Sequence, residues 1–191
     1  MAVRPTQTFV FDRSLREYAY RCWPDGCPTG RTCCVGLTVE VTRKEIRAVD
    51  SLMDELRVLV PSLHDGDGYI DAFVDDPPSW VIDSGEDGAC PFLLRTKKHS
   101  LCSIHHLALA TNRDVPTWKP AACRHWPILL KQEGRRVRVT VQPAAERIGC
   151  VAPVADLPGH PTVLEAYRDE LVEICGADVV ERRLPKKVRP T

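Results

Sequence analysis

The sequence predicts an α+β fold: a small, irregular, cysteine-rich domain with short antiparallel strands and two main helices. Three observations carry that prediction. Apolar residues alternate over short runs, as strands require. Two Thr-x-x-Glu sequences each open a run at helical spacing. Nine cysteines are spread along the chain, most of them beside Gly and Pro turn-formers. With 191 residues, 43% apolar and 27% charged, the chain can bury a core of its own and is read as a single domain. Within it, 20–152 form a cysteine-cluster core, 153–180 a C-terminal helical segment packed on that core, and 181–191 a basic tail that is a solvated end.

The elements follow in order. Residues 22–34, CWPDGCPTGRTCC, place Pro24, Gly26, Pro28 and Gly30 between cysteines, so the chain can fold back and aim several sulfurs at one centre. VGLTVEV (35–41) alternates as a short strand. Thr42 and Glu45 then form a capping box, and Ile46, Val49, Leu52, Met53, Leu56 and Leu59 continue at helical spacing until Pro61 ends the helix. Residues 64–89 are rich in Asp, Gly and Pro and predict a surface hairpin or irregular loop. HDGDGYID within it resembles the start of a calcium loop, but Tyr69 stands where a ligand is needed and Ile70 where a glycine is needed, so it is read as a solvated loop.

CPFLL (90–94) predicts a strand, Thr96 to Lys98 a turn, and 103–111 a helix. WPILL (126–130) and RRVRVTV (135–141) predict a β-hairpin around Glu133-Gly134. The second capping box, Thr162 to Glu165, opens a final helix through Leu164, Tyr167, Leu171 and Ile174 that stops at Gly176.

Charge excludes some function classes. Lys plus Arg and Asp plus Glu are both 26, which gives no basic footprint for nucleic acid or an anionic membrane surface. The N-terminal sequence has no apolar run of signal-peptide type, and no stretch approaches the roughly 20 apolar residues of a membrane span. A cytoplasmic location is the expectation. In that reducing compartment disulfides do not persist, so clustered thiols read as metal ligands or redox groups. Isolated cysteines are often small buried hydrophobes, but four within thirteen residues (22–34) are not explained that way.

Cys22, Cys27, Cys33, Cys34, Cys90, Cys102, Cys123 and Cys150 are therefore the candidate metal ligands. Cys90 precedes Pro91, Cys102 opens a helix, where amide dipoles favour thiolates, Cys123 follows Lys119-Pro120, and Cys150 follows Gly149. Cys175 lies on the apolar face of the last helix and reads as core. Eight thiols suit two tetrahedral zinc sites, or one iron–sulfur cluster with spare thiols. If the 33–34 stretch is extended, these two neighbours point to opposite faces, and they serve two sites, or one is a ligand and the other a supporting thiol behind it. Arg31, Lys119 and Arg124 are available to offset the net −2 charge of a four-thiolate zinc site. His105, three residues after Cys102, is the alternative ligand or a structural hydrogen-bonding group. His106 and His125 adjoin cysteine positions without further support, and His64, His99 and His160 lie in loops.

This ordered set resembles the YkgJ-type cysteine cluster family, described as a zinc- or iron-chelating domain. The family's opening Cys-x2-Cys-x2-Cys-Cys is similar to Cys22, Cys27 and Cys33-Cys34, with spacings here of four and five. Cys-x-Phe-Leu matches Cys90 to Leu93, and Cys-x-Ile/Leu-His/Tyr matches Cys102 to His105. Its basic-Pro-x-x-Cys-Arg-x-aromatic-Pro motif matches Lys119 to Pro127, and its final Gly-Cys matches Gly149-Cys150. The resemblance covers roughly residues 20–152 and implies a zinc or iron centre, a 4Fe-4S cluster being one form of the latter, with no assigned role. A similar cluster in flagellin lysine methyltransferases, where an iron–sulfur cluster is implicated, supplies the alternative of an iron–sulfur-dependent enzyme or redox protein. Against catalysis, the chain has no nucleotide-binding Gly-rich loop, no Cys-x3-Cys-x2-Cys radical spacing, no Cys-x-x-Cys pair and no obvious acid–base pair. No catalytic residue is assigned, and the one partner expected is the metal.

Overall fold

Both capping boxes form. The Thr42 hydroxyl accepts from the Glu45 amide while the Glu45 carboxylate accepts from the Thr42 amide, and Thr162 and Glu165 repeat the arrangement. Each box satisfies amides at a helix start that would otherwise lack partners. A computed structural model describes residues 7–21, 27–28 and 32–184; Cys22, Arg31 and most of the basic tail lie outside them. The structure is a mixed α+β one with several small sheets of short strands. Its four longest helices are Arg43–Asp50, Met53–Leu59, Ser103–Ala110 and Arg168–Cys175. No helix among the described residues is long and apolar enough to cross a membrane.

Each of the two long helices expected from periodicity is interrupted. After Asp50, the Ser51 hydroxyl donates to the Ala48 carbonyl at 2.7 Å and the Leu52 amide to the Val49 carbonyl at 2.9 Å. That tighter turn separates Arg43–Asp50 from Met53–Leu59. The C-terminal helix is broken at Tyr167, giving Val163–Ala166 and Arg168–Cys175. It stops at Gly176, whose φ of 90° no helix can continue, and a short helix Ala177–Glu181 follows.

The chain forms two compact units: Cys22–Arg124, and Met1–Arg21 with His125–Thr191. In the discontinuous unit, the predicted hairpin is present as Ile128–Glu133 and Arg136–Val141, turning at Gly134 with φ 61°. Thr8–Phe11 adds to it in parallel, in the register Thr8–Arg136 to Phe11–Val139. That strand was not legible from alternation, and it departs from the all-antiparallel expectation. Tyr18–Tyr20 pairs antiparallel with Val151–Pro153. Leu15, Val139, Val163 and Leu171 are among its fully buried side chains, each worth roughly 1.5–3 kcal/mol when removed from water.

The Cys22–Arg124 unit has two three-stranded sheets. Glu40–Val41, Ser79–Ile82 and Phe73–Asp76 form one, with Ser79–Ile82 central; Cys27–Pro28, His99–Cys102 and Leu93–Arg95 form the other, with His99–Cys102 central. The first takes the hairpin form of the two expected for 64–89, Phe73–Asp76 with Ser79–Ile82, but its Phe73 and Ile82 enter the core with Val49, Leu56 and Phe92 rather than staying at the surface. The HDGDGYID segment makes a small hairpin, His64–Asp65 with Gly68–Tyr69. Of the strand expected over 35–41, only Glu40–Val41 joins a ladder. Val35 makes a single bridge to Ala89, because Gly36 turns the chain with φ 73°.

Candidate metal centre

Five segments of the Cys22–Arg124 unit carry the described thiols, and backbone hydrogen bonds join several of them. Cys33 and Cys34 lie in a turn, where the Cys34 amide donates to the buried Thr32 hydroxyl at 3.2 Å. The Cys90 amide donates to the Cys34 carbonyl at 2.8 Å, and the Gly36 amide to the Gly88 carbonyl at 2.8 Å. Phe92, 1% exposed, anchors the Cys90 segment in the core. Its carbonyl accepts both the amide of Ser103 at 2.9 Å and the Ser103 hydroxyl at 2.8 Å, which places the Cys90 segment beside Cys102 at the helix start. The Cys123 helix, Ala121–His125, is tied through its Ala121 amide to the Glu45 carboxylate at 2.7 Å.

The extended-chain expectation for Cys33 and Cys34 is corrected. A turn rather than a strand holds them, so the opposite-face alternation of an extended chain does not apply to their side chains. Cys33, Cys34, Cys90, Cys102 and Cys123 interact electrostatically as one group. The Cys33 hydrogen bond, then burial, raises the Cys34 pKa. Burial pushes Cys90 up to about 12, with neighbouring thiols adding to the shift. Burial also raises Cys102 and Cys123; for Cys102, Lys119 and the amides of His105 and Ile104 pull the other way. Even with Lys119 nearby, Cys34, Cys90, Cys102 and Cys123 hold their protons at neutral pH.

Lys119 brings an ammonium into this group. It caps the short helix Val115–Trp118, with its amide bonded to the Val115 carbonyl. Burial works against its charge, but Cys102, Cys33, Cys123 and Cys34 outweigh burial and raise its pKa. Its Nζ lies 3.3 Å from His105 Nδ1. Burial, with Lys119 and His106 adding to it, depresses His105 to about 4, so the ring is neutral. An ammonium can only donate, so Nδ1 accepts and the ring proton sits on Nε2.

The remaining candidates are placed as follows. Cys27 pairs with Ser100 and so shares a sheet face with Cys102, two residues along the same strand. Cys22 lies outside the described residues. Cys150 belongs to the other unit, where it follows the left-handed Gly149 and its Sγ donates to the Ala145 carbonyl at 3.5 Å. Cys175 is buried, 9% exposed, as its helical position predicts, and burial raises its thiol to about 12. Glu45 and Ser103 are the residues that sequence reasoning missed. Glu45 was legible as a cap, but nothing in the spacing signals its second bond to Ala121.

Thiols are the donors that zinc and iron–sulfur clusters take. Among the described residues no three His, Cys, Asp or Glu side chains stand ready-closed around one point. Comparison of the chain with protein-family models, curated proteins and solved structures finds no match.

Proposed function

We propose that the Cys22–Arg124 unit is a thiolate metal-binding module of a reducing, cytoplasmic compartment, taking zinc or an iron–sulfur cluster. Its ligands are drawn from Cys22, Cys27, Cys33, Cys34, Cys90, Cys102 and Cys123. The YkgJ-type resemblance points the same way and adds Cys150. The observation that carries the reading is that backbone hydrogen bonds join the Cys34, Cys90 and Cys102 segments, and that Cys33, Cys34, Cys90, Cys102 and Cys123 influence one another electrostatically. Cysteines kept only for packing have no use for a half-buried ammonium nearby, whereas sulfurs that give up their protons to a metal do.

Metal binding on this reading draws the sulfurs together and displaces their protons. Affinity is therefore steeply pH-dependent, and the metal stabilises the fold. Anaerobic purification of the whole chain, followed by metal analysis and a visible spectrum, tests it. Zinc in a colourless protein supports the structural form, with at most about two ions expected from the thiols available. A brown protein with acid-labile sulfide moves the reading to an iron–sulfur protein, with the redox or enzymatic role that the flagellin lysine methyltransferase likeness suggests. A chain that binds neither overturns the proposal.

A further inference from the structure

We infer that the Cys22–Arg124 unit carries, apart from its cysteines, a cavity that takes the side chain of a lysine on a basic peptide segment of a partner protein.

The cavity has a volume of about 250 Å³, and no cysteine lines it. The buried part of its lining is apolar: Met53, Ala72 and Phe73. Ile46 and Trp80 are half-buried beside them. The exposed part is polar: Asp50, Asp71 and Tyr69. Pockets for drug-sized ligands begin at roughly 300 Å³, so this cavity suits one side chain better than a cofactor. Apolar below and acidic at the surface, it matches a lysine, whose methylene stem lies along apolar surface while its charged head stays in water.

The carboxylates call for a cation. Asp54, nearby in sequence, is already engaged: it pairs with Arg57 at 3.9 Å and accepts from the Tyr69 hydroxyl. Among the described residues no cation pairs with Asp50 or Asp71. Asp50 ends the Arg43–Asp50 helix, where the carbonyl dipoles attract cations and disfavour an acid. Ile46, four residues earlier, shares its helix face. Asp71 is held in place by the Phe73 amide, which donates to its Oδ1 at 3.4 Å. Burial, then the neighbouring Asp71 carboxylate, raises the Asp50 pKa, a like-charge conflict that an ammonium relieves.

The surrounding sequence favours a basic segment over an isolated amine. Between Arg57 and Arg95 the chain has eight Asp or Glu residues and no Lys or Arg, a one-sign field that steers positive partners. An ammonium has three donors in compact form and can serve both carboxylates, while a guanidinium prefers planar, bidentate partners. The Trp80 ring already carries the Arg43 guanidinium at 5.7 Å, which fixes the wall that the stem would lie against.

The test uses the full chain, with the metal it carries as purified, at physiological salt. It reads the fluorescence anisotropy of a short labelled peptide of alternating glycine and lysine, which the wild type is expected to bind. Asp50→Asn combined with Asp71→Asn is expected to weaken binding roughly fivefold to tenfold, as two exposed charge pairs would. Asp75→Asn combined with Asp76→Asn removes the same charge outside the cavity and is expected to stay within about twofold. A peptide with diaminobutyrate in place of lysine keeps the charge but shortens the stem by two methylenes. It is expected to bind about fivefold more weakly or worse. Free butylamine is expected to compete only at concentrations on the order of a hundredfold higher than the peptide.

A wild type that does not bind the peptide overturns the inference. So does an equal loss in the two double variants, which would mean a diffuse acidic attraction. A diaminobutyrate peptide that binds as tightly as the lysine one removes the apolar cavity from the account, and butylamine as strong as the peptide makes this a free-amine site; either result overturns the inference. If the Asp50 and Asp71 variant does not fold, the peptide series on the wild type decides on its own.

Discussion

The Cys90 amide donates to the Cys34 carbonyl at 2.8 Å, joining two cysteine segments that lie far apart along the chain. The clasp continues through the Val35–Ala89 bridge and the bond from the Gly36 amide to the Gly88 carbonyl. It depends on Gly36 and Gly88, with φ of 73° and 69°. A Cβ on Gly88 would meet the Gly36 nitrogen at 3.7 Å, an ordinary contact, so its cost is conformational. Gly88→Ala is expected to lower stability by about 1–2 kcal/mol and to weaken metal retention, read from the urea midpoint and from metal content. An unchanged midpoint would remove the clasp from the account.

Glu45 links a helix cap to the Cys123 segment. Burial opposes its charge, but the amide of Ala121 and the hydroxyl and amide of Thr42 outweigh burial, and its pKa is lowered. A lowered carboxyl pKa contributes stability above the ordinary glutamate value, and that stability is lost as pH falls through the folded value. Glu45→Gln is expected to cost about 1–3 kcal/mol at neutral pH, as hydrogen bonds to a charged group do. The gap to the wild type should narrow below about pH 4, near the unperturbed carboxyl value. Urea midpoints measured at pH 7 and in acid check both parts, and a pH-independent gap contradicts the assignment.

Cys175 separates packing from ligation. It sits 9% exposed on the Arg168–Cys175 helix, and serine there buries a hydroxyl where a thiol was tolerated. Cys175→Ser is expected to lose about 1–3 kcal/mol of stability while metal content stays at the wild-type value. A drop in metal content would return Cys175 to the ligand set.

The raised thiols predict slow chemistry in the metal-free protein. Cys34, Cys90, Cys102 and Cys123 hold little thiolate at neutral pH, and the thiolate is the nucleophile. Iodoacetamide labelling followed by peptide mass spectrometry should find them at least about tenfold slower than an unperturbed cysteine, with rates that climb as pH rises. Rapid labelling at pH 7 would mean that the thiols are ionised before metal arrives.

Much of the local structure was legible because local chemistry decides it. Thr42 with Glu45 and Thr162 with Glu165 satisfy helix amides within one turn, and Gly176 and Gly134 mark a stop and a hairpin. The apolar spacing of Val49, Leu52 and Leu56 identified a core face. Helix continuity was not legible at Ser51 or Tyr167, where a side-chain bond or a shift of backbone angles outweighs weak propensities. The Thr8–Phe11 strand was missed because a parallel partner far along the chain leaves no local pattern.

The sequence by itself determined the inventory: which residues carry sulfur, which turn-formers stand beside them, and which cysteine belongs to an apolar helix face. Only the tertiary structure decided which of them meet. Cys33, Cys34, Cys90, Cys102 and Cys123 influence one another electrostatically, Cys150 lies in the other unit, and His105 Nδ1 stands 3.3 Å from the Lys119 ammonium. The physical reason is the range of the forces involved. Caps and turns act over a few residues, whereas the Cys34–Cys90, Phe92–Ser103 and Glu45–Ala121 hydrogen bonds join distant segments and form only when the core around Phe92 has brought them together.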